Sequence, residues 1–363
     1  MIPLVVDLET EWRGGQNQAL LMLKGFYERG HAAELVAAHG SALGSRASAN
    51  GICVHFVSRG GFRLPAARKI RELLSDGHID VVHANESHGL TAAWLARAHR
   101  RVPLFVSRRV GFPLSQSRIA QARFRAAHKI IAISEWVADQ AIASGAPCNK
   151  LAIVYEGVPL PTLPTSEARR NARARWGVTD DEPLLGCVGV LEPDKGQQWL
   201  VEALSALRCE FPNCKLLLAG DGPSRADLEK QAESLGVKDA VIFSGFVKEI
   251  ESVYAAIDIF LFPSMFEGLG TSLLSAMSYA TPSIAFNRCA FGEIVENEKS
   301  GLLVESSSVQ QIQEAAARLL RDKTFAQNIG NTAHQRIEEK FSSDKMVDAM
   351  LHIYEDSLRV QKG

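Results

Sequence analysis

The stretch FPSMFEGLGTSLLSA, Phe262–Ala276, places a carboxylate, Glu267, on a loop just ahead of Gly268 and Gly270, and an apolar helical run follows it. The preceding IDIFLF reads as a strand, so the whole is strand, loop, helix, the repeating unit of a parallel α/β sheet. A second stretch, VGVLEPDKG at Val188–Gly196, sets Lys195 on another loop between a strand and a helix. A lysine there offers charge to a phosphate, and glycines let backbone N–H groups approach a ligand closely. Glu267 can accept hydrogen bonds from sugar hydroxyls. The two loops together suggest a nucleotide-sugar site.

The same rhythm extends in both directions. In the first half PLVVD, AAELVAA, ICVHFV, DVVHA, PLFVS, KIIAIS and KLAIVY read as strands, with a helix from Gln16 that carries Leu20, Leu23 and Phe26 on one face and stops at Gly30. GVPLPTLPTS, Gly157–Ser166, has three prolines and reads as a linker. LLGCVGVL, KLLLAGDG, AVIFSGF, IDIFLFPS and PSIAF then restart the pattern. The expected division is residues 1–160, residues 161–345, and a closing helical segment, 346–363, with Met346, Met350, Ile353 and Tyr354 spaced for burial.

The gross numbers agree with this. At 363 residues the chain exceeds one ordinary core. With 46% hydrophobic and 22% charged residues it has an ordinary globular composition. No apolar run reaches the roughly 20 residues that span a bilayer. MIPLVVDLETEW has no basic leader region and runs directly into a strand, so a cytoplasmic protein is expected. The six cysteines show no CxxC pair and no metal-ligand spacing, and read as packed, reduced thiols.

The net charge of −1 hides an asymmetry: residues 1–160 hold 19 Lys and Arg against 12 Asp and Glu, the remainder 21 against 29. Between Glu86 and Glu135 there is no acidic residue, while Arg97, Arg100, Arg101, Arg108, Arg109, Arg118, Arg123, Arg125 and Lys129 fall in that interval. Such a face attracts an anionic substrate or surface. Ser117–Lys129 would set Arg118, Arg125 and Lys129 near one helical stripe, either a solvated face or a membrane-surface helix on the inner face of the cytoplasmic membrane. Residues 97–129 are the expected membrane contact. Aromatic interleaving is sparse, which argues against nucleic acid as partner.

GVLEPDKG, the turn Ala219–Pro223, Pro263–Gly270 and Gly301–Val304 follow one another in the order and spacing of family 4 glycosyltransferases, which the chain resembles from Pro3 to about Ile353. The resemblance implies a GT-B fold, two doubly wound Rossmann-like domains facing across a cleft, with the last segment crossing back to the first domain. It implies Lys195 on the leaving diphosphate and Glu267 on the donor sugar. It also implies donor contacts at Gly14, Gly15, Gly189, Asp221, Gly268, Leu269, Gly270, Thr271 and Ser275. His83 is catalytic in that reading and Glu86 an acceptor contact; both end a buried strand, and His83 could equally be structural. Arg108 and Arg109 suit a phosphate on acceptor or donor.

Two positions depart from the family pattern. Val190 stands where an arginine is usual, leaving Arg13, Arg108 or Arg109 to compensate, and Ser275 stands where a second glutamate clasps the ribose. No D-x-D triplet occurs, so no metal and no cofactor beyond the nucleotide sugar is expected. The implied reaction is retaining transfer from a nucleoside-diphosphate sugar to a glycan or lipid-linked acceptor, for example a lipopolysaccharide. The alternatives are a nucleotide-sugar epimerase and a non-catalytic GT-B scaffold.

Overall fold

The computed structural model describes residues 1–58 and 60–362, with side chains described as far as Arg359. Residue 363, the end of the expected closing segment, lies outside the described residues. The chain divides into two compact units, residues 1–157 with 343–363, and residues 158–342.

The first unit is built on a parallel sheet of β1 (Pro3–Asp7), β2 (Glu34–Ala38), β3 (Cys53–Val57), β4 (Val81–Ala84), β5 (Leu104–Arg108), β6 (Lys129–Ala132) and β7 (Leu151–Ile153). Strands of such a sheet are covered on both faces and read as continuous apolar runs; in β1 every residue is buried. Helix Gly14–Glu28 buries Ala19, Met22, Leu23 and Phe26, a single stripe at helical spacing. It begins two residues before the expected Gln16, because the Arg13 carbonyl accepts from Gln16 and Asn17 N–H at 3.1 Å. Gly30, at φ 76°, closes it in the left-handed conformation that favours glycine.

Strand order is β3-β2-β1-β4-β5-β6-β7, which reverses direction between β1 and β4. Open α/β sheets offer a crevice at the carboxyl ends of the strands at such a reversal.

Helix Ser343–Lys362 belongs to this unit and packs on helix Gly14–Glu28. A Cβ on Gly25 would lie 2.5 Å from Val347 Cγ2, so the close approach requires glycine. Arg29 pairs with Asp344 at 2.9 Å and Asp348 at 2.6 Å. Tyr354, fully buried, packs against Phe26 and Phe105 with ring centroids 5.9 and 4.6 Å away.

The expected basic helix is shorter than its pattern. Arg118–Ala126 is helical, but Ala127 turns extended (φ −62°, ψ 143°) and Lys129 is the first residue of β6. Lys129 Nζ donates to Asn149 O at 3.1 Å, so it is not on the Arg118–Arg125 stripe. The sequence across this end, RAAHKI, contains no glycine or proline to mark it.

The second unit repeats the plan with β8 (Leu184–Val188), β9 (Lys215–Ala219), β10 (Val241–Gly245), β11 (Ile259–Phe262), β12 (Ser283–Phe286) and β13 (Leu302–Val304). The order is β10-β9-β8-β11-β12-β13, reversing between β8 and β11. Arg173, 1% exposed, ties its first helix to the sheet base by donating to Ala256 O at 2.8 Å and Asp258 Oδ2 at 3.1 Å.

The cysteines are all free, but three are not packed: Cys53, Cys148 and Cys209 are exposed. Among the described residues no helix is long and apolar enough to cross a membrane.

Candidate functional site

At the β8/β11 reversal of the second unit, two loops are joined to each other. The 3-10 turn Pro193–Lys195 ends at Gly196, φ 76° and ψ 14°, where a Cβ would fall 2.2 Å from Pro263 O. Met265 N–H donates to Asp194 O at 2.7 Å, so the loop after β11 lies directly on the loop after β8. This contact brings Lys195 and Glu267 together: Nζ donates to Oε1 at 2.8 Å, with 22% and 27% of the side chains exposed. Ser264 Oγ also donates to that oxygen at 3.4 Å. A half-buried ion pair on glycine-lined loops holds both charges where a ligand can exchange for either partner.

The other expected donor residues divide. Gly189 directly follows β8, and open space lies where its Cβ would be. Gly270, φ 106°, caps helix Thr271–Ser278, and a Cβ there would meet the Phe262 ring at 2.9 Å. Thr271 is the first residue of that helix and is half-buried, so helix-terminal N–H groups face the loop carrying Glu267. Gly268 is buried, and Leu269, 1% exposed, has its side chain in the core, leaving only backbone to offer. Asp221 is exposed and accepts from Gly222 N–H at 2.9 Å.

Ser275 spends its hydroxyl proton within its own helix, donating to Thr271 O at 2.9 Å, one turn back. Val190 is 49% exposed. Arg288 was not singled out from sequence. It rests Nη1 on Met265 Sδ at 3.2 Å while its Nε is buried without a partner, beside the same loop.

At the β1/β4 reversal of the first unit most polar groups are paired among themselves, and Arg109 Nε is buried without a partner. Asp7, fully buried, accepts from Asn85 Nδ2 at 2.6 Å and Gln16 Nε2 at 3.0 Å. Asn85 also donates to Gly15 O at 3.2 Å and accepts from Arg109 Nη2 at 2.7 Å. Arg109 pairs in turn with Glu156, and its Cδ lies 3.2 Å from where a Gly15 Cβ would be. Gly14 opens the helix that Gly15 continues. Burial pushes the Asp7 carboxyl up, against the hydrogen bonds of Asn85 and Gln16. Asp7, Gln16, Asn85 and Glu156 were missed in the sequence. The available signal was a polar residue ending an apolar strand, as Asp7 ends PLVVD and Asn85 follows DVVHA.

Three expectations for this unit are corrected. His83 is 0% exposed, with Nδ1 2.5 Å from the Tyr354 hydroxyl and Nε2 2.7 Å from Ser107 Oγ. Burial, then the Arg109 charge, lowers its pKa to about 3, so it is a neutral core residue and not a catalytic one. Glu86 caps helix Ser87–Leu95, accepting from Gly89 N–H at 2.6 Å, Leu8 N–H at 3.2 Å and His88 N–H. Its carboxylate is committed to backbone, not to an acceptor, and burial foremost raises its pKa to about 7. Arg108 donates to the Phe112 carbonyl, and burial lowers its pKa. Of the expected acceptor residues Glu86 and Arg109 reach the reversal, and both are already paired there.

Two family descriptions cover most of the chain: Glycosyltransferase Family 4 over residues 12–161 and Glycosyl transferases group 1 over residues 168–336. The chain belongs to this glycosyltransferase family. An uncharacterized glycosyltransferase of Methanocaldococcus jannaschii is 30% identical over 219 residues, 59% of this chain and 56% of that protein. A GDP-mannose-dependent alpha-(1-6)-phosphatidylinositol monomannoside mannosyltransferase of Mycobacterium tuberculosis is 30% identical over 59% of this chain and 58% of its own length. The chain thus spans a little over half the length of these curated relatives. Anabaena HepE in complex with UDP and glucose has a TM-score of 0.82 at 20% identity, over 97% of this chain and 99% of that one. This likeness shows the fold, that of the GT-B glycosyltransferases.

Proposed function

We propose that this glycosyltransferase-family protein moves a sugar from a nucleoside-diphosphate donor to a hydroxyl of a glycan or lipid-linked acceptor, with retention of configuration. The observation that carries this reading is the exchangeable Lys195–Glu267 pair at the second unit's strand reversal. The donor's C1–O bond to phosphate breaks and a bond from C1 to the acceptor oxygen forms. The acceptor proton passes to the donor's own phosphate oxygen, which leaves with the nucleoside diphosphate, so no enzyme nucleophile is required. Lys195 Nζ sits on the phosphate oxygens as charge builds there, stabilising the transition state more than the ground state. Glu267 accepts from the sugar hydroxyls. Lysine and helix-terminal N–H groups hold the phosphate, and the reaction needs no metal.

The acceptor is anionic in this reading. The acid-free, arginine-rich run 97–129 supports it, and so does the named substrate of the mycobacterial relative, a phosphatidylinositol mannoside. Phe112 and Ile119, 60% and 64% exposed within that run, suit contact with the cytoplasmic face of an anionic membrane. One second reading has its own observations: exposed Val190 and internally bonded Ser275 remove two usual donor contacts, as a non-catalytic scaffold would allow.

The test is release of nucleoside diphosphate from UDP-, GDP- and ADP-sugars, with and without lipopolysaccharide or phosphoinositide acceptors. Acceptor-dependent release that collapses in Lys195→Ala supports transfer. An epimerised sugar formed without acceptor would support the epimerase alternative. No release with any donor would leave the scaffold.

A further inference from the structure

A second cluster of chemistry-bearing side chains lies in the first unit, where β2 and β3 begin, at the other end of the sheet from Asp7 and Asn85. Glu34 is the first residue of β2 and Cys53 the first of β3, and parallel pairing sets them side by side. His55, two residues along β3, projects from the same face as Cys53 because strand side chains alternate. Cys53 Sγ is 3.7 Å from His55 Nε2, and Glu34 Oε2 is 2.7 Å from the same nitrogen. The ligand atoms of all three residues lie within 4.8 Å of one another. The second carboxylate oxygen, Glu34 Oε1, is 2.9 Å from His78 Nε2, on the segment leading into β4.

A tetrahedral zinc centre with bonds of about 2.0–2.3 Å places neighbouring ligand atoms roughly 3.5 Å apart. The thiol–imidazole spacing already matches, and the Glu34–His55 contact needs to open by less than about 1 Å. The ligands come from two hydrogen-bonded strands, so the sheet itself fixes their spacing. Glu34 and His55 are largely buried, with side chains 16% and 22% exposed. Cys53 is exposed, which leaves an entry path and room for water as a fourth ligand. His78 then stands as the outer partner that orients a ligating carboxylate. A mixed sulfur, nitrogen and oxygen set suits a zinc-type ion, not magnesium or calcium, which take oxygen ligands.

We propose that Glu34, Cys53 and His55 bind a divalent transition cation of the zinc class, with His78 as positioning residue. The ion would clamp the edge strand β3 to β2. Its distance along the strands from the β1/β4 reversal makes it independent of sugar transfer.

The test is titration of the full, tag-free chain with Co²⁺, followed by visible absorption. A thiolate-to-cobalt charge-transfer band that saturates at a single equivalent and is abolished by Zn²⁺ is expected. Cys53→Ser removes the band, whereas Cys148→Ser and Cys209→Ser, at the other exposed thiols, keep it. Roughly 10-fold or greater loss of affinity is expected for His55→Ala, and about 10- to 100-fold for His78→Ala. Cys53 is exposed, so Cys53→Ser should unfold at the wild-type temperature in the absence of metal. The proposal is overturned if wild type shows no saturable band, or if the band survives in Cys53→Ser.

Discussion

The two strand reversals, β1/β4 and β8/β11, share a topology and differ in what their charges do. At β1/β4, Asp7, Asn85, Arg109 and Glu156 form a closed chain of hydrogen bonds, and Glu86 is consumed by capping. At β8/β11, Lys195 and Glu267 have mainly each other, on loops that glycines bring within van der Waals reach. The same doubly wound plan thus makes a largely paired, rigid end in one unit, with only Arg109 Nε of these groups left over, and an exchangeable one in the other. Residues of the first should affect folding and residues of the second should affect chemistry.

The hardest test of the rigid end is Tyr354→Ala, which empties a fully buried site between Phe26, Phe105 and His83 and should cost about 3–5 kcal/mol. Denaturant unfolding measures it. A loss below about 1 kcal/mol would mean that helix Ser343–Lys362 does not hold the first unit together. Next comes Lys195→Ala, expected to lower kcat by about 10²–10³-fold, or ~2.7–4 kcal/mol of transition-state stabilisation. Its stability should change by no more than about 1 kcal/mol, since the pair it breaks is partly exposed. Loss of fold with activity, in place of activity alone, would erase the contrast between the two ends. Asn85→Ala should then cost about 1–3 kcal/mol, because buried Asp7 loses a donor and Arg109 an acceptor.

The last test is a pH dependence. Glu86 titrates near 7 in the folded protein against an ordinary value of 4.5, so the folded state binds its proton more tightly. Its contribution is therefore most favourable below about pH 4.5 and is lost as pH rises to about 7. Glu86→Gln should flatten that decline, and parallel stability curves for the two proteins between pH 4.5 and 7 would refute the assignment.

The fold was legible because its signals are local. Runs such as PLVVD and IDIFLF are too apolar for anything but buried parallel strands, and the glycines at 196 and 270 mark turns that a Cβ would obstruct. Lys195 and Glu267 were legible as loop residues, although 72 positions separate them. His83 was not, because the partner that makes it structural, Tyr354, lies 271 residues away. Glu86 was read as a strand-end ligand, when a carboxylate two and three residues ahead of free helix N–H groups is also an N-cap. The grouping of Cys53, His55 and Glu34 was hidden for the same reason: strand pairing creates it, and the cysteine spacing carries no trace of it.

The most direct measurement is thermal unfolding of wild type and Lys195→Ala with UDP, GDP, ADP and CMP, each at saturating concentration. A nucleotide at a hundred times its dissociation constant adds about 2.7 kcal/mol to stability, a clear rise in Tm. One nucleoside diphosphate should stabilise the wild type and leave Lys195→Ala unmoved. An equal shift in both proteins, or none with any nucleotide, would contradict the placing of the donor phosphate at the Lys195–Glu267 pair.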